Sequence, residues 1–263
     1  MNKRDTGRRT ATLAFVPRDP RELGGAWTRY QRREVVSPAT DLAPYVSQYW
    51  VVEWEYAEPY RQLIVPYPSV HLSVQDGRAP EVSGVATGHV VKVLEGAGRV
   101  VRVAFRPGGF RPFLRSRVSA LTDRTVPAAD ILQGLPAVPV DVAAVEGWLR
   151  AAGPVADPVA EWVDGMVGVV AEDAGIARVD DLAVRCEIGV RRLQRLFVEY
   201  VGVSPKWVIR RYRLHEVTER MAAGSRIDWA ALAADLGYAD QAHLARDFAS
   251  IFGEAPTHYA ARY

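Results

Sequence analysis

The chain has 263 residues and a formal net charge of only +2, so nucleic-acid contact would have to rest on where basic residues sit rather than on their total. Hydrophobic residues make up 49% and charged residues 24%, which fits an ordinary globular protein and excludes a disordered or fibrous one. No apolar run approaches ~18 residues, so no membrane span and no membrane partner are expected.

Residues 1–12 contain Lys3, Arg4, Arg8 and Arg9 without an apolar core. They read as a solvated arm, and no secretory leader is expected. The one cysteine, Cys186, can form no internal disulfide, which suits a reducing cytoplasm. From Leu13 to about Leu114 the pattern is mostly strands. Gln48–Tyr56 is aromatic and β-branched, and Gln62–Val65 runs into a Pro66-Tyr67-Pro68 turn. Val70–Gln75 alternates and stops at Asp76-Gly77, a hairpin signal. Val90–Leu94, a turn at Glu95–Gly98 and Arg99–Phe105 read as strand, turn, strand. Short strands at this spacing suggest a small barrel or sandwich.

Alternation places Trp50, Val52, Trp54 and Tyr56 on one strand face. They either fill a core or line an apolar pocket; the pocket candidates are Trp50, Trp54 and Tyr67, with His71 or Arg106 as polar group. The sequence leaves both readings open. His71 and His89 stand alone, without the clustered histidines and carboxylate a metal site needs, so no metal or other cofactor is implied. Gly108-Gly109 reads as a rigid turn, since no phosphate-binding glycine loop surrounds it.

From Ala120 to Glu172 the pattern becomes helical. Asp141–Leu149 is amphipathic, and Gly134–Pro139 and Gly153–Pro158 are joints. Val159, Trp162, Val163, Met166, Val167 and Val170 form a stripe at helical spacing, either core or a dimer surface.

The stretch Val179 to Tyr259 holds one pattern twice. A Leu-Ala pair (Leu182-Ala183, Leu232-Ala233) opens a helix, and a turn containing Gly189 or Gly237 follows, where a left-handed backbone favours glycine. A second helix then buries Leu193, Leu196 and Phe197, or Leu244 and Phe248. These are two helix-turn-helix units in tandem. Arg191, Arg192, Gln194 and Arg195 lie outward near the start of the first second-helix, with Gln241, Ala242, Ala245 and Arg246 at the matching places. Arg can bond guanine bidentately and Gln adenine, which suits major-groove edges. Between the units Pro205–Met221 reads as one long helix capped by Ser204. Its Lys206, Arg210 and Arg211 are expected to face out as phosphate contacts.

Gly237 to Phe248 followed by Phe252-Gly253-Glu254-Ala255-Pro256-Thr257-His258-Tyr259 closely resembles the AraC/XylS-type transcription regulators. Leu193–Phe197 with Gly202-Val203-Ser204-Pro205 resembles the matching part of the first unit. The sequence departs from the family at Gly189, where Ser is common as helix cap. The resemblance implies that Arg191, Gln194, Arg195, Gln241, Ala242, Ala245 and Arg246 read bases, and that Arg192, Lys206, Arg210, Arg211 and His243 hold phosphate. Arg106–Leu114, with Pro44-Tyr45-Val46 and Trp50, resembles the cupin-like N-terminal domain of some of these regulators, which senses a small molecule or dimerises.

The expected protein is α+β with two domains. A disordered arm (1–12) precedes a small cupin-like β-barrel with a helical tail (13–155) and an all-α domain with two helix-turn-helix units (156–263). Its expected partners are double-stranded DNA, a small-molecule effector, RNA polymerase and a second copy of itself. The rival readings are a cupin-like carrier or enzyme, and a DNA binder without a ligand.

Overall fold

The computed structural model describes residues 31–132, 139–222 and 227–260. The expected arm, the first residues of the β domain at 13–30 and most of the 134–139 joint lie outside them.

The N-terminal part is one antiparallel sheet of six strands: β1 Gln31–Val36, β2 Val46–Ile64, β3 His71–Gln75, β4 Glu81–Ser83, β5 Val90–Phe105 and β6 Thr125–Pro127. Their order across the sheet is β1-β2-β5-β3-β4-β6. The sheet is open, with β1 and β6 at its edges, so the expected closed barrel is corrected to a cupin-like sheet. With three residues each, β4 and β6 offer too short a ladder to close a ring.

The strand-turn-strand expected at 90–105 is one continuous strand, and 46–64 is likewise one strand rather than two. The register explains both. Tyr56 pairs with Gly96, and Tyr60 with Leu94, so β2 spends extra residues in a bulge that contains Pro59. Proline cannot donate to a ladder and is tolerated at such a bulge. The break signals at Pro59 and Gly96 therefore bend a long pair of strands without ending them.

Strand alternation gives the sheet two different faces. Tyr49, Val51, Leu72, Val74, Val101 and Val103 pack into a core with Val145, Trp148 and Leu149 of helix α1 (Val142–Ala151). Trp50, Val52 and Trp54 face the other way, along a cavity. Residues 120–132, expected as helix, fall in short 3-10 turns around β6, and α-helix begins only at α1.

The C-terminal part is helical: α2 Pro158–Glu172, α3 Val179–Arg185, α4 Val190–Leu196, α5 Pro205–Ala222, α6 Trp229–Asp235, α7 Gln241–Phe252 and α8 Pro256–Ala260. A π-helical turn, Phe197–Val201, extends α4. The stripe on α2 is core: Val163, Met166, Val167 and Val170 are buried, while Trp162 stays 37% exposed. The same core takes in Val65 and Val85 from the sheet side, so the two parts share an apolar seam. Gly108 and Gly109 also serve close approach, since a Cβ there would overlap the carbonyls of Ala160 and Tyr45 respectively.

Candidate nucleic-acid interface

The two helix-turn-helix units match bond for bond. In the first, Cys186 N–H donates to Leu182 O, Glu187 N–H to Val184 O and Ile188 N–H to Ala183 O. In the second, Leu236, Gly237 and Tyr238 donate to Leu232, Ala234 and Ala233. The left-handed residue is Gly237 (φ +72) in one unit but Glu187 (φ +55) in the other. Gly189 has φ −71 and is the helix cap, which corrects the expectation of a left-handed glycine there. The second turn is one residue longer, and its cap Asp240 accepts from His243 N–H at 2.6 Å. Gly189 has no side chain to do the same.

The cap residues Gly189 and Asp240 align the helices. Arg191, Arg192, Gln194 and Arg195 then stand opposite Ala242, His243, Ala245 and Arg246, and Gln241 stands opposite Val190. Leu193 and Leu244 are fully buried at equivalent places. All the proposed base-reading side chains are exposed except Ala245, which is half-buried. Arg246 Nε–H folds back on Ala242 O at 3.3 Å, and His243 stands edge-on to Tyr238. Of the expected base readers, the first helix thus exposes three long polar side chains, the second only Gln241 and Arg246.

The phosphate candidates divide. Lys206 is exposed at the start of α5, and Arg192 is exposed with its guanidinium 5.2 Å from the Trp162 ring centre. Arg210 is half-buried and turned to α7, pairing with Asp247 at 2.9 Å and bonding Ser250. Arg211 does not face out. It is 1% exposed, with Nε–H donated to Pro66 O at 2.6 Å and its guanidinium carbon 4.4 Å from the Tyr67 ring. The outward placement expected for Arg211 is therefore corrected. Helical spacing put it beside Arg210, but the sheet domain covers that face of α5.

α5 also carries buried His215, whose burial, reinforced by Arg211, pushes it down from 6.5 to about 4. Glu219, 3.9 Å away and 56% exposed, pulls the other way too weakly to offset this.

The sheet domain meets both units at equivalent points. The recognition helices end on left-handed Gly202 (φ +95) and Gly253 (φ +80). Thr122 Oγ1–H donates to Gly202 O at 2.5 Å, and a Cβ on Gly202 would press on Val118. A Cβ on Gly253 would press on His89 and Leu63, and His89 N–H donates to Ser250 O at 3.4 Å. Arg111 pairs with Glu199 at 2.8 Å, and Trp207 Nε1–H donates to Thr87 O at 3.0 Å. This seam carries no local signal in the sequence, because nothing in one domain's periodicity marks its partner on the other.

A cavity of about 280 Å³ opens on the sheet face next to this seam, lined by Trp50, Tyr67, His71, His89, Lys92 and Arg124 among others. Trp50 and His71 stack at 5.6 Å, and the Arg102 guanidinium lies 5.9 Å from the Trp50 ring centre. Trp54 lines an adjoining cavity of about 150 Å³. Arg106, expected as the pocket's polar group, instead bonds Ala43 O and pairs with Asp164 at 2.9 Å. Burial raises the Asp164 carboxyl despite Arg106, so that pair belongs to the domain seam. Among the described residues, no group of three or more His, Cys, Asp or Glu is placed to hold a metal ion.

These features define a tandem helix-turn-helix DNA-binding protein. Residues 182–262 match the helix-turn-helix domain family, and residues 34–127 match a domain of unknown function, DUF6597. The C-terminal part of the chain, residues 182–262, is therefore a helix-turn-helix domain. No curated protein matches it. Among solved structures it is distantly similar to ToxT from Vibrio cholerae, at 10% identity and TM-score 0.37 over 88% of this chain and 98% of that one. A ToxT structure with bound unsaturated fatty acid gives 12%, TM-score 0.33, and 80% and 93% coverage. The C-terminal domain of AraT, a response regulator from Geobacillus stearothermophilus, gives 16%, TM-score 0.35, and 41% and 87%.

Because His215 is held neutral by burial, its contribution is complete above about pH 6.5 and is lost as pH falls toward 4. The loss is on the order of 3 kcal/mol. Urea melts at pH 7 and pH 4.5 should show His215→Leu losing less stability on acidification than the parent. An equal loss would contradict the assignment.

Proposed function

We propose that α4 and α7 enter successive major grooves on one side of promoter DNA, with α5 fixing their separation. The observation that carries this reading is the matched placement of exposed Arg191, Gln194 and Arg195 on α4 and of Gln241, Ala242, Ala245 and Arg246 on α7. α5 has 18 residues and so spans ~27 Å at 1.5 Å per residue. That is the scale needed for heads ~34 Å apart along the duplex. Arg192, Lys206 and His243 contact phosphate. The first head supplies most of the base discrimination, because Ala242 and Ala245 cannot reach a base edge with a hydrogen bond. The protein acts in the cytoplasm as a homodimer that contacts RNA polymerase.

Selection from randomised duplexes tests this. Arg195→Ala should relax preference at one base pair and cost roughly 1–3 kcal/mol against the parent's preferred site. Lys206→Ala should weaken all sequences alike and reduce the salt slope by about 1. Unchanged preference in Arg195→Ala would refute the base-reading role.

We further propose that the cavity beside the seam takes a small organic anion as effector. Trp50 and His71 offer a flat apolar floor, and Lys92, Arg102 and Arg124 outnumber the single acid, Asp123, which is bonded to Thr87. No catalytic group is proposed there. In thermal-shift assays 1-naphthoate or decanoate should raise Tm more than the matching alcohols, and Ala86→Phe should abolish the shift. Equal shifts from acids and alcohols would refute the anion preference, and no shift from either would refute the effector site.

A further inference from the structure

Among the described residues Arg211 is the largest fully buried side chain, yet it carries a permanent charge. Burying an unpaired charge is costly, so its surroundings must compensate. Among the described residues no carboxylate does so. Nε–H reaches Pro66 O, and the guanidinium lies between the rings of Tyr67 (4.4 Å) and Phe252 (5.5 Å). Nη1 and Nη2 have no hydrogen-bond acceptor among the described residues. The cation is thus held by one carbonyl and two ring faces. The carbonyl and one ring belong to the cavity wall, and the other ring belongs to recognition helix α7.

The wall segments around the cavity do double duty. Ile64–Tyr67 and Gly88–Val90 face the cavity on one side. On the other, Pro66 and Tyr67 hold Arg211, and His89 occupies the space a Cβ on Gly253 would need and bonds Ser250 at the end of α7. Asp123 and Arg124 also face the cavity, and they adjoin Thr122, which bonds Gly202 beyond α4. The α4 end meets the sheet domain through Val118, Thr122 and the Arg111–Glu199 pair, none of which is bonded to Arg211.

We propose that Arg211 is a positioning residue that ties the cavity wall to the second recognition helix, so that filling the cavity resets α7 while leaving α4 in place. This rests on the cavity being the effector site, as proposed above. Arg211 touches the Pro66-Tyr67 wall and the α7 aromatic Phe252 together. Displacement of that wall by a bound molecule pulls on a carbonyl bond and a cation–π contact at once, and both act on α5 and α7.

Hydrogen exchange on the full-length protein tests the tie without any ligand, using Ala86→Phe to fill the cavity. In the parent, Ala86→Phe should change exchange at Ala249–Gly253 at least threefold and leave Leu182–Leu196 unchanged. In Arg211→Met the same substitution should have no effect at Ala249–Gly253, and Arg211→Lys, which can still donate to Pro66 O, should restore part of it. If Arg211→Met fails to fold, Tyr67→Leu serves instead, since it keeps the Pro66 bond and removes the ring. An Ala86→Phe effect that persists undiminished in these backgrounds, that spreads equally to α4, or that is absent from the parent would overturn the proposal. The thermal-shift outcome is independent, so an effector reading that fails there leaves this measurement interpretable.

Discussion

The arrangement depends on α5 being buried on one face while it separates two reading heads on the other. A helix of this length in water would not be held rigid by propensity alone, and tertiary packing has to do it. Here Trp207, Val208, Leu214, Val217 and Met221 fill the helical core, and Arg211 anchors the helix to the sheet domain. The spacing of α4 and α7 therefore follows from both domains.

The repeat within the helical domain carries a second constraint. Each unit ends its recognition helix on a left-handed glycine, followed three residues later by a proline-opened helix (Pro205, Pro256). The sheet domain rests on both of these ends. The sheet domain thus touches equivalent places in the two heads, though Arg211 joins it to α7 alone. The heads are not chemically equal, however, because alanines on α7 occupy the positions of Arg191 and Gln194 on α4. On the proposed reading, base discrimination falls mainly to α4, and α7 contributes affinity.

The helical domain was legible because its information is local. Leu182-Ala183, Leu193 and Phe197 recur as Leu232-Ala233, Leu244 and Phe248, and the outward Arg and Gln follow from helical spacing. The sheet was legible by face but not by length. Pro59 and Gly96 look like chain breaks, and only pairing between β2 and β5 shows that they face each other near one bulge. Arg211 and Arg106 were misread for a common reason. A basic residue on a helix or after a strand defaults to solvent or to a pocket, and only the other domain's Pro66 or Asp164 reveals a buried partner. The left-handed Glu187 was equally hidden, since a glycine two residues away was the more economical expectation.

The claim at the centre is that two rigidly joined helices read one side of a duplex. Hydroxyl-radical footprinting of the full-length protein on its selected site measures this most directly. The account predicts two protected windows on the same face, centred about one helical turn, roughly 10 base pairs, apart. A single window, or two on opposite faces, would contradict it.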